Sequence, residues 1–303
     1  MSSDPVSRSA RRWHKARLAA LLLVGAGLAS WLVDRMVIKA ILQPARRGTD
    51  AILPIGMEER SFTLSDHVLM RAWMAKPAGK PAAVVFVLHG ICDSKATQAG
   101  TLASLAERGI VGIAPDLRAH GQSGGDIATY GYLEKRDLSE LRKEVGKEFP
   151  GIPIGLWGTS YGGAVALQAM GIDPEFSFAI IENTFADLRD VARQQVLHRV
   201  KLPFAAIGPY FVNRAGEAGG FNPGEVSPEA SMEHISAPVL HLHGDKDEVI
   251  PFEHGERIAR HARTKSYRFV RIKEGTHYYL STGDPATYSR EIAGFLDQVA
   301  PLK

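Results

Sequence analysis

Hydrophobic positions along the chain form short apolar runs that alternate with longer segments of helical spacing. The run AAVVFVLHG at residues 82–90 is apolar almost throughout, as a strand covered on both faces requires. The segment EKRDLSELRKEVGKEF places Leu138, Leu141 and Val145 on one helical face. Further strand and helix patterns alternate towards the end of the chain, so the sequence predicts an α/β domain with a mostly parallel sheet and helices on both faces.

The first 43 residues have a different pattern. A basic opening with five Arg and Lys residues precedes LAALLLVGAGLASWLV at residues 18–33, which carries no charge, and the helical spacing continues to Leu42. We expect residues 1–43 to form a membrane helix that stays attached and holds the folded domain, residues 44–303, outside the cytoplasm. Two alternatives are a secretory signal cleaved near Ser30, which would give a secreted or periplasmic protein, and an amphipathic helix packed on the domain.

Between Thr184 and Ile235 the alternation weakens into two helical segments separated by Gly and Pro. We expect residues 184–235 to form a small helical lid insertion. An apolar lid face would favour an acyl substrate over a charged peptide, whereas packing of two short helices explains the same residues equally well. These residues are Leu202, Pro203, Phe204, Ile207, Tyr210 and Phe211.

Charge and cysteine content narrow the function. The net charge is only +3, and much of the excess lies in the basic opening, so no nucleic-acid surface is indicated. The single cysteine, Cys92, rules out an intramolecular disulfide. His241 and His243 occupy alternate strand positions, but no cluster of further ligands accompanies them, and we predict neither a metal nor a cofactor.

Two serines stand in the pattern G-x-S-x-G, Ser123 in GQSGG and Ser160 in GTSYG. Ser160 follows the predicted strand IPIGLW and opens the predicted helix AVALQAM, which is the strand-turn-helix context of a nucleophile elbow. No helical pattern follows Ser123, and its glycines are typical of a flexible loop. We therefore predict that Ser160 is the nucleophile.

A nucleophilic serine needs a histidine base that a carboxylate orients. His277 lies after a late predicted strand and before the last predicted helix, whereas His254 and His261 lie on a helix with charged neighbours, where we expect solvated side chains. Asp245 and Asp247, just past another strand, are both candidates for the carboxylate.

Five segments together resemble the α/β-hydrolase superfamily, in particular its serine aminopeptidase-like or acylglycerol-lipase-like serine hydrolases. They are LHG at 88–90, DLRAHGQSGG at 116–125, GTSYGG at 158–163, HGDKDEVIP at 243–251 and GTH at 275–277. The resemblance covers roughly residues 50–300 and implies an α/β-hydrolase fold. It also implies that the acid is the second aspartate of its segment, Asp247, and that the oxyanion hole uses the backbone N–H groups of Tyr161 and Ile91, with Cys92 as the neighbouring choice.

These features predict a serine hydrolase that cleaves a small or lipid-like acyl ester through an acyl-enzyme intermediate. Amide, peptide or thioester hydrolysis on the same triad is the alternative. An α/β-hydrolase-fold protein that binds without catalysis is a further alternative, but such proteins usually lose a triad member, and Ser160, Asp247 and His277 all follow in order.

Overall fold

The computed structural model describes residues 5–196 and 206–301. The strands are β1 (Met57–Thr63), β2 (Leu69–Ala75), β3 (Ala83–Leu88), β4 (Ile110–Pro115), β5 (Ile154–Thr159), β6 (Phe178–Glu182), β7 (Val239–Gly244) and β8 (Tyr267–Ile272). The helices are α1 (Pro5–Leu42), α2 (Ala99–Glu107), α3 (Glu134–Glu148), α4 (Tyr161–Ile172), α5 (Leu188–Gln195), α6 (Ile207–Gly219), α7 (Pro228–Met232), α8 (Phe252–His261), α9 (Leu280–Gly283) and α10 (Pro285–Val299).

The strands form one sheet in the order β1-β2-β4-β3-β5-β6-β7-β8. The strands β1 and β2 pair antiparallel with each other and β2 pairs antiparallel with β4, while every other pair is parallel. The carboxyl ends of β3 to β8 therefore meet at one edge of the sheet, where an open α/β sheet holds its functional loops. We call this the carboxyl edge.

Side chains on the central strand β3 alternate between two buried layers, as a strand covered on both faces requires. Val84 and Phe86 pack in one layer and Val85 and Val87 in the other. The first layer includes side chains of α3, α4, α7 and α8, and the second includes side chains of α2, α9 and α10. The predicted α/β architecture, with its mostly parallel sheet and helices on both faces, is confirmed.

A third apolar cluster lies beyond the carboxyl edge. It joins Leu42 at the end of α1 to Phe185, Leu188 and Val191 around α5 and to Val212 of α6. The two helices α5 and α6 occupy part of the range in which sequence analysis expects a lid, and the segment between them, with Leu202, Pro203 and Phe204, lies outside the described residues.

The long helix α1 contains a candidate membrane span. Its stretch Trp13–Leu42 has a mean hydropathy of 1.8 over its most apolar window, and none of that window is buried. By length and composition the helix is able to cross a bilayer.

Candidate active site

Ser160 stands in the turn between β5 and α4, at the carboxyl edge. Its backbone φ is 56° and its ψ is −117°, a strained conformation for a residue with a side chain. The turn is tight enough that a Cβ on Gly158 would lie 2.4 Å from the carbonyl oxygen of Gly162, and a Cβ on Gly162 would lie 2.4 Å from that of Leu88. Glycine is therefore required at both positions, which explains the spacing around Ser160.

The neighbouring strand β6 holds this turn in place. The Ser160 amide donates to the carbonyl oxygen of Glu182 at 2.8 Å, and the Thr184 hydroxyl donates to the carbonyl oxygen of Ser160 at 2.8 Å. Both hydrogen bonds are made by the backbone of Ser160, so its Oγ remains available to another partner.

That partner is His277, which follows β8. The Ser160 Oγ lies 3.0 Å from His277 Nε2, and His277 Nδ1 lies 2.7 Å from Asp247 Oδ2. A carboxylate accepts hydrogen bonds and does not donate them, so Nδ1 carries the proton and Nε2 presents its lone pair to the serine hydroxyl. The structure thus brings the three predicted residues together in the order nucleophile, base and acid.

Asp247 is buried, and its second oxygen is occupied as well. Oδ1 accepts hydrogen bonds from the amides of Val249 at 2.8 Å and Ile250 at 2.7 Å. Asp245 instead accepts a hydrogen bond from the amide of Glu274 at 2.8 Å and, within the described residues, forms neither a hydrogen bond nor an ion pair with His277. The two aspartates that the sequence pattern left open therefore differ in geometry, and only Asp247 contacts the histidine.

Asn183, directly after β6, joins the loops that carry His277 and Asp247. Its side-chain amide donates to the carbonyl oxygens of Thr276 at 3.0 Å and His277 at 3.3 Å, and its side-chain oxygen accepts from the Gly244 amide at 2.9 Å. Sequence analysis missed this residue. Asn183 follows a predicted buried strand next to the elbow, and this position could have identified it, because side chains at the carboxyl ends of neighbouring parallel strands meet.

The two predicted oxyanion donors flank Ser160. Tyr161 opens α4, so its amide lies in the helical turn that has no internal acceptor, and Gly90 is close enough that a Cβ there would lie 3.9 Å from Ser160 Cβ. Within the described residues, neither the Tyr161 amide nor the Ile91 amide donates a backbone hydrogen bond outside regular helices and strands. Both residues line the same cleft.

His89 fixes the orientation of the peptide between Gly90 and Ile91. Its Nε2 accepts from the Leu117 amide at 3.0 Å, so its Nδ1 carries the proton and donates to the Gly90 carbonyl at 2.8 Å. Burial lowers the pKa of His89, which keeps the ring neutral. In a planar trans peptide the C=O and N–H point in opposite directions, so this bond turns the Ile91 N–H away from His89.

Ser123 is buried and held by several hydrogen bonds, although its neighbouring glycines are typical of a flexible loop. Its side chain is buried, accepting from the Arg71 amide at 2.8 Å and donating to the Asp116 carbonyl at 2.6 Å, and the Arg46 guanidinium binds the carbonyl oxygens of Ser123 and Gly125. The expectation of a flexible loop is therefore wrong, because contacts distant in sequence hold it. In the part of the chain that the structure describes, the Ser123 hydroxyl makes no hydrogen bond to a histidine.

His254 also departs from expectation, because it is fully buried. Its Nδ1 accepts from the Ala186 amide at 3.2 Å, and its Nε2 lies 2.7 Å from the Gln194 side-chain oxygen. Desolvation lowers its pKa to about 4. His261 is partly exposed and pairs with Glu233, as a surface residue does.

His241 and His243, the pair weighed as the start of a metal site, are buried in β7. The His241 ring lies 2.8 Å from the Tyr267 hydroxyl, and His243 Nε2 lies 2.9 Å from the Ile250 carbonyl oxygen. No group of three or more metal-ligating side chains was found among the residues that the structure describes.

A cleft of about 620 Å³ opens above Ser160. Its wall is largely apolar, and its charged side chains include Arg47 and Asp93. The apolar part is formed by Ile91, Tyr130, Phe185, Leu188, Val191, Val249, Ile250 and Tyr278. Such a cleft suits a ligand with an apolar portion next to a polar reacting group.

The sequence of the chain matches a known protein family and several individual proteins. A family described as "Serine aminopeptidase, S33" matches residues 79–206. The chain is 30% identical over 191 residues to the uncharacterized protein YqkD of Bacillus subtilis, a match that spans 61% of each chain. It is 31% identical over 103 residues to human monoglyceride lipase, covering 33% of each.

The fold also matches a solved structure. The esterase Pf2001 of Pyrococcus furiosus superposes with a TM-score of 0.68 at 19% identity, covering 86% of this chain and 98% of that chain. At that identity the likeness establishes the fold alone. This likeness and the family match over residues 79–206 both indicate that the chain has the α/β-hydrolase fold.

Proposed function

We propose that the protein is a serine hydrolase that cleaves acyl esters with Ser160 as nucleophile, His277 as base and Asp247 as the acid that orients it. The observation that carries the proposal is the hydrogen-bonded chain from Ser160 Oγ through His277 to Asp247, with links of 3.0 Å and 2.7 Å. Esterase and lipase relatives support the same class of reaction.

In the first step, Ser160 Oγ attacks the ester carbonyl carbon while its proton passes to His277 Nε2. The negative charge that develops on the carbonyl oxygen is stabilised by the amides of Tyr161 and Ile91 and by the amino terminus of α4. Asp247 keeps the proton on Nδ1 and stabilises the imidazolium.

The alkoxide then leaves with the proton from Nε2, and the acyl group remains on Ser160. In the second half, His277 takes a proton from water, the hydroxide attacks the acyl-enzyme, and Ser160 recovers its proton as the acid is released. The apolar cleft wall favours an acyl chain on the carbonyl side of the substrate.

The test compares Ser160→Ala with the matched variant Ser123→Ala, because both serines stand in the same five-residue pattern. We expect Ser160→Ala to abolish labelling by a fluorophosphonate probe and ester hydrolysis, and Ser123→Ala to keep both per folded molecule. Labelling lost only in Ser123→Ala would overturn the assignment. A parallel panel of p-nitrophenyl acyl esters and aminoacyl anilides decides between ester and amide hydrolysis.

We also propose that α1 stays attached as the membrane anchor, with the domain of residues 44–303 outside the cytoplasm and residues 184–235 acting as its lid. Leu42 at the end of α1 is buried against the lid helices, and its carbonyl oxygen accepts from the Ala128 amide at 2.8 Å. Fractionation and N-terminal sequencing of the native protein test the anchor. A soluble form that begins near Trp31 would contradict it.

A further inference from the structure

The end of α1 is built into the wall of the active-site cleft. The Tyr130 hydroxyl donates to the carbonyl oxygen of Ile41 at 3.0 Å, and the Tyr130 side chain also lines the cleft and packs edge-on against Tyr161, with ring centroids 5.8 Å apart. Leu42 packs in the same cluster as Phe185 of the cleft wall. The candidate membrane helix is therefore in direct contact with the site, and not attached through a flexible linker.

The segment that leaves α1 is fixed as well. The Arg46 guanidinium binds the carbonyl oxygens of Ser123 and Gly125, and the carbonyl oxygen of Thr49 accepts from the Gln122 side chain at 2.9 Å. Arg47, between these two anchors, lines the cleft. Because both ends of this segment are held, the direction in which α1 leaves the domain is determined by the fold.

The end of α1 lies at the carboxyl edge, where Ser160 also lies, because Leu42 packs with Phe185 and Ile250 just beyond β6 and β7. The side chains of residues 17–33 are exposed along α1, and Asp34 is the first charged residue after the apolar run. From Asp34 to Leu42 the helix rises by about 12 Å at 1.5 Å per residue. A membrane surface near Asp34 would thus lie within about 12 Å, measured along the helix, of the residue that packs against the cleft wall.

The side chains near Asp34 are of the types that are common at the boundary of a bilayer. Trp31 is exposed, and the Arg35 guanidinium lies over its ring, with Arg35 Cζ 5.1 Å from the centroid of the Trp31 ring. Tryptophan and basic side chains are typical of membrane interfaces. On α6, which packs against α1, Arg214 pairs with Asp34 at 3.4 Å and Tyr210 is half exposed. This contact adds a second fixed link between α1 and the domain.

We propose that the carboxyl edge faces the lipid bilayer and that the substrate is an acyl ester resident in the same membrane, entering the cleft beside α1. The orientation rests on α1 being a membrane helix, and the chemistry rests on the proposed function. Water-soluble esters are also cleaved, but the membrane does not increase the rate of their hydrolysis.

Orientation is tested with the single cysteine, Cys92, which lines the cleft and is partly exposed. The full chain is reconstituted in phosphatidylcholine vesicles and labelled there with a small fluorophore. We expect lipids with a nitroxide headgroup to quench the fluorescence of this label. The matched control carries Cys92→Ser with Lys80→Cys, an exposed position before β3 at the opposite edge of the sheet, and should not be quenched. A second probe, Tyr278→Cys in the Cys92→Ser chain, is used if the label at Cys92 unfolds the protein. Equal quenching at both edges, or quenching at Lys80→Cys alone, overturns the proposal.

The route of the substrate is tested by placing a long-chain ester either in the vesicles that hold the enzyme or in separate vesicles. We expect hydrolysis at least roughly tenfold faster in the shared vesicles, since the effective concentration of a ligand confined with its binding site is higher. A soluble short-chain ester should be cleaved equally in both mixtures. If the soluble ester is cleaved and the two vesicle rates are equal, the membrane route is wrong. If fluorophosphonate does not label Ser160 and no ester is cleaved, the proposed function is wrong instead.

Discussion

Replacing Asn183 by alanine is expected to damage the site without touching any of the three proposed catalytic side chains. The Asn183 side chain is buried and makes hydrogen bonds to Thr276, His277 and Gly244 at 3.0, 3.3 and 2.9 Å. Alanine would leave two carbonyl oxygens and one amide of the catalytic loops without these partners. Its backbone must also keep a φ of 46°, which asparagine tolerates better than alanine.

The size of the effect follows from these contacts. Three lost hydrogen bonds cost about 1 kcal/mol each, and the left-handed backbone adds about 1 kcal/mol, so Asn183→Ala should lower the free energy of unfolding by about 4 kcal/mol. The freed carbonyl oxygens belong to Thr276 and to His277 itself. A shift of about 1 Å in a catalytic group can cost roughly 10²-fold in rate, and we expect a loss of that order in kcat with little change in KM.

The assay is ester hydrolysis and fluorophosphonate labelling per folded molecule, at a temperature well below the melting midpoint of the variant. Leu141→Ala in α3 is the control. Leu141 is buried and lies more than 100 positions before the loops that carry Asp247 and His277. Truncation of a buried leucine lowers the free energy of unfolding by about 2–5 kcal/mol. The control should lose stability and keep its kcat. If Asn183→Ala loses stability to the same degree and also keeps its kcat, Asn183 does not position His277.

Two further predictions concern the acid and the response to pH. Asp247→Asn should reduce kcat by roughly 10⁴-fold and Asp245→Asn far less, and equal losses in folded variants would mean that the acid is misassigned. His254, with its pKa lowered to about 4 by burial, takes up its proton more readily when unfolded, so its contribution to stability is present above about pH 6.5 and is lost as the pH falls towards 4. The contribution of His254 to the free energy of unfolding should then fall by about 2 kcal/mol on going to pH 5, because the unfolded chain takes up the proton there while the buried ring, whose Nδ1 accepts from the Ala186 amide, stays neutral. The drop should be smaller in His254→Gln, and equal pH profiles for the two chains would refute this reasoning.

The elements of the fold and the elbow were predictable because their signals are local. Strand periodicity, the glycines beside Ser160 and the order of the three candidate residues are all properties of short segments. The two positions that accept only glycine, Gly158 and Gly162, are explained by contacts within the turn and with the adjacent strand. Such contacts leave a pattern that a single sequence shows.

The remaining features depend on partners distant in sequence. Asn183 contacts residues that lie 61 to 94 positions further along the chain, and nothing beside it distinguishes it from an ordinary loop asparagine. For His254 a signal was present and was misread: it stands four residues before Ile258, so both lie on one face of α8, and both are buried. Charged neighbours in sequence occupied the other faces of the helix.

The end of β6 explains how the separate loops form one site. Three consecutive residues bind two different loops. The carbonyl oxygen of Glu182 and the hydroxyl of Thr184 form hydrogen bonds with the backbone of Ser160, and the side chain of Asn183 between them forms hydrogen bonds with the backbone of Thr276 and His277. Because the two outer residues bind the nucleophile turn and the middle residue binds the base loop, the distance between Ser160 Oγ and His277 Nε2 depends on the geometry of this one strand end. The left-handed backbone of Asn183 is therefore part of what sets the 3.0 Å contact, because a change in φ at this position would move the base loop relative to the nucleophile turn.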